Sequence, residues 1–194
     1  MRITLLFSLL IFSASPATRA ATAEAVFAGG CFWCMESAYQ EMEGVLDVVS
    51  GFTGGALPNP TYKGNHEGHY EAVRVTYDPE LLSYQQLLDH YWVNVDPFDP
   101  RGQFCDKGPS YRAAIFVADD VQRQLALRSH AAVAARFPDQ TVVTEILDAG
   151  RFWPVEAYHQ DYYLKNPVRY KYYRWSCGRD QRLQQIWGES TGSH

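Results

Sequence analysis

A glycine pair, Gly29-Gly30, cuts the chain between a short apolar run, Ala25 to Ala28, and a segment of helix-compatible composition, Cys34 to Met42. Glycine tolerates backbone angles that other residues avoid, so a strand can turn there and enter a helix directly. The alternation continues downstream. Val45 to Phe52 reads as a strand ending at Thr53-Gly54-Gly55, and His69 to Tyr77 alternates through Ala72, Val73, Val75 and Tyr77 before the Asp78-Pro79 stop. Ser83 can cap a helix carrying Leu87, Leu88, Tyr91 and Trp92, and Ala113 to Ala118 is another strand. Asp119 or Asp120 opens a helix to about Phe137, and Thr141 to Ile146 closes the pattern as a strand. This order predicts an α+β fold, a two-layer sandwich with a mixed β-sheet and helices packed on one face, of ferredoxin-like character. Trp92, Trp175 and Trp187 stand at helix-like spacings among apolar neighbours and are expected in the core.

The N-terminus is set apart. Arg2 precedes the apolar run Leu5 to Phe12, and small residues lead into Ala20-Ala21-Thr22-Ala23. That pattern is a secretory signal peptide over residues 1–23, with Ala20 as an alternative cleavage point. A bilayer anchor would need about 20 apolar residues. Residues 24–194 then form a single domain with a short polar tail after Gly188, expected to be a secreted or periplasmic monomer with no membrane attachment. The whole chain has 194 residues and a formal charge of −5, so it lacks the basic face a nucleic-acid partner would require. Its four cysteines are too few for a disulfide-stapled scaffold and enough for redox chemistry.

Chemistry concentrates at Gly30-Cys31-Phe32-Trp33-Cys34-Met35. Cys31 falls at the start of a helix, where free backbone N–H groups and the helix dipole favour thiolate over thiol. The Cys-x-x-Cys spacing has several readings. Haem attachment would need a histidine where Met35 stands, and structural zinc would need a second pair, whereas Cys105 and Cys177 are solitary. His66, His69 and Glu71 could add ligands in principle, but no metal or organic cofactor is expected, and His69 is given no catalytic role. A thioredoxin-like dithiol remains, although Phe32 and Trp33 look more like the walls of a pocket.

At this point the chain resembles the type A peptide methionine sulfoxide reductases, whose hallmark Gly-Cys-Phe-Trp stands here as Gly30-Cys31-Phe32-Trp33. The likeness continues through Gly51-Phe52-Thr53-Gly54-Gly55, Asn59-Pro60-Thr61-Tyr62 and Gly68-His69-Tyr70-Glu71-Ala72-Val73. It extends to Asp106-Lys107-Gly108-Pro109-Ser110-Tyr111-Arg112 and to the segment from Phe152-Trp153 through Glu156 and His159-Gln160 to Asn166-Pro167. The resemblance implies reduction of methionine S-sulfoxide, in peptides, in proteins or free. Cys31 is implied to attack the sulfoxide sulfur and become a sulfenic acid, and a thioredoxin-like dithiol to restore the enzyme. Glu71 is implied as the acid that protonates the sulfoxide oxygen, Tyr62 and Tyr111 as hydrogen-bond donors, and Asp106 as the group that organises a water or the thiol. Phe32 and Trp33 suit an apolar slot for the methyl group. Glu71 could be protonated at neutral pH only if apolar surroundings raise its pKa.

Three cysteines compete to resolve Cys31: Cys177 and Cys34 nearly level, then Cys105. Cys34 replaces a residue commonly glycine in relatives, and Cys177 lies in the C-terminal region from which relatives supply their recycling cysteine. Tyr70, where many relatives have a small residue, either faces the pocket or faces away. The competing enzymatic reading is a secreted thiol-disulfide oxidoreductase using Cys31 and Cys34; a non-enzymatic reading is an aromatic-rich binding domain with two static disulfides.

Overall fold

A computed structural model describes residues 21–188; the first twenty residues of the expected signal segment and the tail after Gly188 lie outside them. In chain order the elements are β1 (Ala23–Gly29), α1 (Phe32–Gln40), β2 (Val45–Thr53), β3 (Tyr70–Tyr77), α2 (Tyr84–Val93), β4 (Gly102–Gln103) and β5 (Asp106–Lys107). A 3-10 turn at Pro109–Tyr111 leads to β6 (Ala113–Val117), α3 (Asp120–Arg136), β7 (Glu145–Asp148) and β8 (Trp153–Pro154). The chain ends in α4 (Tyr162–Lys165), α5 (Pro167–Ser176) and α6 (Arg179–Trp187).

Six strands form one sheet in the order β7-β6-β1-β3-β2-β8, while β4 and β5 pair separately. The inner four, β6-β1-β3-β2, are antiparallel neighbours and carry the ferredoxin-like order, and β7 adds parallel to β6 after the α3 crossover, which makes the sheet mixed. Period-two alternation divides each strand between two faces. Phe27, Val73, Val75, Ile115 and Val117 point into the main core with residues of α1, α2, α3 and α6, including Tyr39, Leu88, Val133 and Trp187. Ala28, Tyr70, Ala72, Ala114 and Phe116 lie on the opposite face in a smaller cluster. Helix starts follow their local chemistry. Ser83 and Gln86 form a capping box on α2, and the Asp119 side chain accepts the Gln122 N–H at the head of α3.

Two expectations are corrected. The last strand of the pattern is Glu145–Asp148 rather than Thr141 to Ile146, because the Val143 N–H bonds the Pro97 carbonyl instead of a strand neighbour. Trp92 and Trp187 are buried, but Trp175 is 75% exposed. On α5 the inward positions are taken by Tyr170 and Arg174, four residues apart, which turns Trp175 outward. The alternation also settles Tyr70. Neighbouring residues on β3 face opposite ways, so Tyr70 packs on Phe116 with ring centroids 5.5 Å apart and its hydroxyl donates to Glu145 at 2.5 Å. It faces away from Glu71.

Candidate active site

Gly30 has φ +81°, a left-handed angle, and a Cβ there would come within 2.6 Å of Gln103. That turn places Cys31 at the N-cap of α1, where its carbonyl accepts the Cys34 and Met35 N–H groups. The next N–H, from Phe32, donates to the Glu71 carboxyl at 3.2 Å. Glu71 sits at the start of β3 on the helix-covered face and is 2% exposed; Cys31 is 6% exposed. Burial pushes the Glu71 pKa up to about 8, and the nearby Asp106 carboxyl adds to the shift, while the Phe32 N–H and the Tyr111 hydroxyl pull against it. Glu71 is therefore a carboxylic acid at neutral pH.

Cys31 and Cys34 are both free, buried and hydrogen-bonded to each other. The hydrogen bond from Cys31 lowers the Cys34 pKa to about 6, helped by the positive charges of Arg179 and Arg174. Cys31 is pushed up, first by burial and then by Cys34. The first proton thus leaves the pair as a unit. The pair carries its first negative charge across two coupled sulfurs, and the helix terminus at Cys31 works against the cost of burying that charge.

Aromatic rings wall the site. Phe32 lies 5.9 Å from Phe52 and 6.0 Å from Tyr62, and Trp33 stacks on Tyr162 at 3.8 Å. The Trp33 indole N–H donates to His159 Nδ1 at 3.1 Å, so the histidine proton resides on Nε2. His159 is fully buried, and its burial holds its pKa below the usual histidine value. Burial also raises the Tyr62 pKa to about 12, with Glu71 and Cys31 adding to the shift, and raises Tyr111 further, so both hydroxyls keep their protons. Asp106 accepts the Tyr173 hydroxyl, and Tyr173 in turn hydrogen-bonds Cys31. Cys31, Phe32, Trp33, Tyr62, Glu71, Asp106 and Tyr111 thus share one site, with Cys34 directly behind the first of them.

Cys105 and Cys177 are bonded to each other, closing a sequence separation of 72 residues. Cys105 is exposed and Cys177 half-buried. Their sulfurs lie with an Asp106 carboxyl oxygen inside one 4.8 Å group. As a metal site this group has both thiols committed to the disulfide. His66 and His69 are also engaged elsewhere: His66 bonds the Thr61 carbonyl, and His69 ties Gly55 to Leu57 in the loop between β2 and β3.

Sequence reasoning missed four neighbours of the site: Tyr162, Tyr173, Arg174 and Arg179. His159 was present in the resemblance but carried no role. All five lie more than 120 residues from the cysteine motif, and no local spacing connects them to it. The crowding of aromatics from Tyr170 to Trp175 was the one visible sign.

The model of the family described as peptide methionine sulfoxide reductase matches residues 23–191. Peptide methionine sulfoxide reductase MsrA 2 of Caulobacter vibrioides is 52% identical over 192 residues, 93% of this chain and 97% of that protein. MsrA of Bacillus licheniformis is 50% identical over 169 residues, 84% of this chain and 93% of that protein. Among solved structures, methionine sulfoxide reductase A of Corynebacterium diphtheriae superposes with a TM-score of 0.68 at 31% identity, covering 77% of each chain. Mxr1 of Saccharomyces cerevisiae in reduced form gives 0.68 at 25% identity, covering 79% of this chain and 88% of that one. With the match running through nearly all the described residues and through the cysteine motif itself, this chain belongs to the peptide methionine sulfoxide reductase family, type A.

Proposed function

We propose that this chain reduces methionine S-sulfoxide, free or in proteins, to methionine, with Cys31 as nucleophile and Glu71 as acid. The observation that carries the reading is the Glu71 carboxyl, protonated near neutrality and hydrogen-bonded one residue from Cys31 inside an aromatic pocket. The methyl group fits the slot of Phe32 and Trp33, and the oxygen lies among the Glu71, Tyr62 and Tyr111 hydroxyls. Glu71 gives its proton toward the oxygen as the Cys31 sulfur attacks the sulfoxide sulfur. The S–O bond to methionine breaks, methionine leaves, and the oxygen remains on Cys31 as a sulfenic acid. The shared proton of the dithiol moves to Cys34 as Cys31 engages the substrate.

Cys34 then attacks the Cys31 sulfur, water leaves, and a Cys31–Cys34 disulfide forms. Cys34 is favoured over Cys177 and Cys105 because it alone is free and hydrogen-bonded to Cys31. The new disulfide is buried, whereas Cys105 is exposed, so a thioredoxin-like dithiol reaches Cys105 first. It reduces the Cys105–Cys177 bond to two thiols and is itself oxidised to a disulfide; the Cys177 thiolate then attacks the Cys31–Cys34 disulfide, and Cys105 attacks the resulting mixed disulfide, which restores the Cys105–Cys177 bond and leaves Cys31 and Cys34 reduced. Burial of both active sulfurs counts against a general thiol-disulfide oxidoreductase.

The N-terminal apolar run, together with a disulfide that an oxidising space preserves, supports a secreted or periplasmic setting for residues 24–194. The test is turnover on racemic methionine sulfoxide with a small dithiol. The S epimer should be consumed and the R epimer left; survival of both epimers would overturn the reading.

A further inference from the structure

Arg179, the first residue of α6, is 1% exposed and lies beneath the β1–α1 turn. Its Nη1 donates to the Gly29 carbonyl at 3.3 Å, and its Nη2 donates to the Asn94 carbonyl at 2.6 Å and meets Met35 Sδ at 3.3 Å. The guanidinium also stands 4.5 Å over the Phe104 ring. Every one of these partners is uncharged, and Nε has no hydrogen-bond partner among the described residues. A buried cation without a counter-charge is expensive unless a negative group completes it. Arg174, the other buried arginine near the site, has such a group: Asp180 takes two of its nitrogens, one at 2.6 Å.

The contacts of Arg179 bracket the cysteine motif, since Gly29 is two residues before Cys31 and Met35 one residue after Cys34. Other titratable groups face the pair from every element around it. Glu71 on β3 is an acid at neutral pH; Asp106 on β5 is raised by burial and drawn back by the Tyr173 hydroxyl and by the charge of Arg179, which makes it the other acidic group within that arginine's reach. Tyr62, Tyr111, Tyr170 and Tyr173 are phenols held above their usual range by burial, and so neutral. Arg179 and then Arg174, which Asp180 pairs, are the cations whose fields reach Cys34, and Arg179 acts the more strongly.

We propose that Arg179 is a positioning residue that serves as the counter-charge of the Cys31–Cys34 dithiol, holding on the pair the single negative charge with which it meets the sulfoxide. The assignment rests on the proposed role of that pair, and it gives α6 a function beyond carrying the end of the chain. It also ties the Cys105–Cys177 bond to the site by a second route, because Cys177 stands two residues before the arginine.

The test is thiolate absorbance near 240 nm, followed from about pH 5 to 9, on protein with the Cys31–Cys34 pair reduced and the Cys105–Cys177 bond intact. A Cys31→Ser/Cys34→Ser protein supplies the tyrosine baseline. Arg179→Met should move the first midpoint upward by about one pH unit, with about a fivefold smaller thiolate fraction at pH 6. Arg179→Lys, which keeps the charge, should keep the midpoint, and Arg174→Met should move it far less than Arg179→Met. If Arg179→Met does not fold, Arg179→Gln supplies the same neutral comparison. In sulfoxide turnover the kcat deficit of the neutral variant relative to the parent should be largest near pH 6 and shrink toward pH 9, where both lose the Glu71 proton, with KM unchanged. An unmoved midpoint, or a loss of kcat equal at every pH, would show that Arg179 only braces the turn. The absorbance titration contains no sulfoxide, so its result stands whether or not the reductase reading holds.

Discussion

Replacing Glu71 by Gln should separate activity from stability in opposite directions. The glutamine carbonyl can still accept the Phe32 N–H that the carboxyl accepts at 3.2 Å, so the local geometry has a substitute, but the side chain has no acidic proton to give. With its pKa at about 8, Glu71 is protonated about ten to one at pH 7, and the loss of a positioned acid costs about 100-fold to 10,000-fold in rate. In the parent enzyme, single-turnover release of methionine should fall as pH rises through about 8; in the variant that alkaline limb should vanish. Stability moves the other way. The folded chain holds the Glu71 proton more tightly than the unfolded chain, whose pKa is near 4.5. The group therefore contributes stability that is fully present below about pH 4.5 and is lost as pH rises through about 8. Over that window the parent should lose about 1.4 kcal/mol per pH unit relative to the glutamine variant, measured by denaturant unfolding at matched pH. Turnover within about tenfold of the parent, or a stability difference that does not change with pH, would refute the reasoning.

Removing the His159 ring with His159→Ala leaves the Trp33 indole N–H without its acceptor, so KM for methionine sulfoxide should rise about tenfold with a smaller change in kcat, read from steady-state kinetics. Cys105→Ser opens a bond that closes 72 residues and should lower unfolding free energy by about 3 to 5 kcal/mol in a denaturant titration. The same variant should keep turnover with a small dithiol and lose at least about tenfold with a thioredoxin-like protein, whose access runs through the exposed sulfur. Trp175→Ala should leave unfolding free energy within about 0.5 kcal/mol of the parent, because the ring is 75% exposed.

Strands were legible where apolar residues alternate between clear stops. The β3 pattern from Ala72 to Tyr77 carried enough period-two signal to define the strand and the face that Glu71 shares with Val73 and Val75. Helix α2 was legible through the Ser83 cap, and α3 through Asp119. The C-terminal third was not. Strand β8 is two residues long, held on the edge of β2, and its neighbour Gln160 clamps Ser50 across 110 residues of sequence. Those contacts have no local period. At the site, the residues on the cysteine motif were readable because the turn, the helix start and the chemistry are contiguous. The ionisation of the dithiol was not, since it depends on burial and on Arg179, which arrives from the far end of the chain. Trp175 misled because its spacing gave apolar neighbours in sequence, while the inward face of α5 belongs to Tyr170 and Arg174.

The account stands on Cys31 as the sulfur that takes the oxygen and Cys34 as the sulfur that removes it. A Cys34→Ser protein with the Cys105–Cys177 bond intact, treated with one equivalent of methionine S-sulfoxide and a sulfenic-acid trap, exposes the first of these steps to peptide mass spectrometry. The expected result is one equivalent of methionine and the trapped adduct on Cys31. Methionine formed while Cys31 stays unmodified, or an adduct on any other residue, would contradict it.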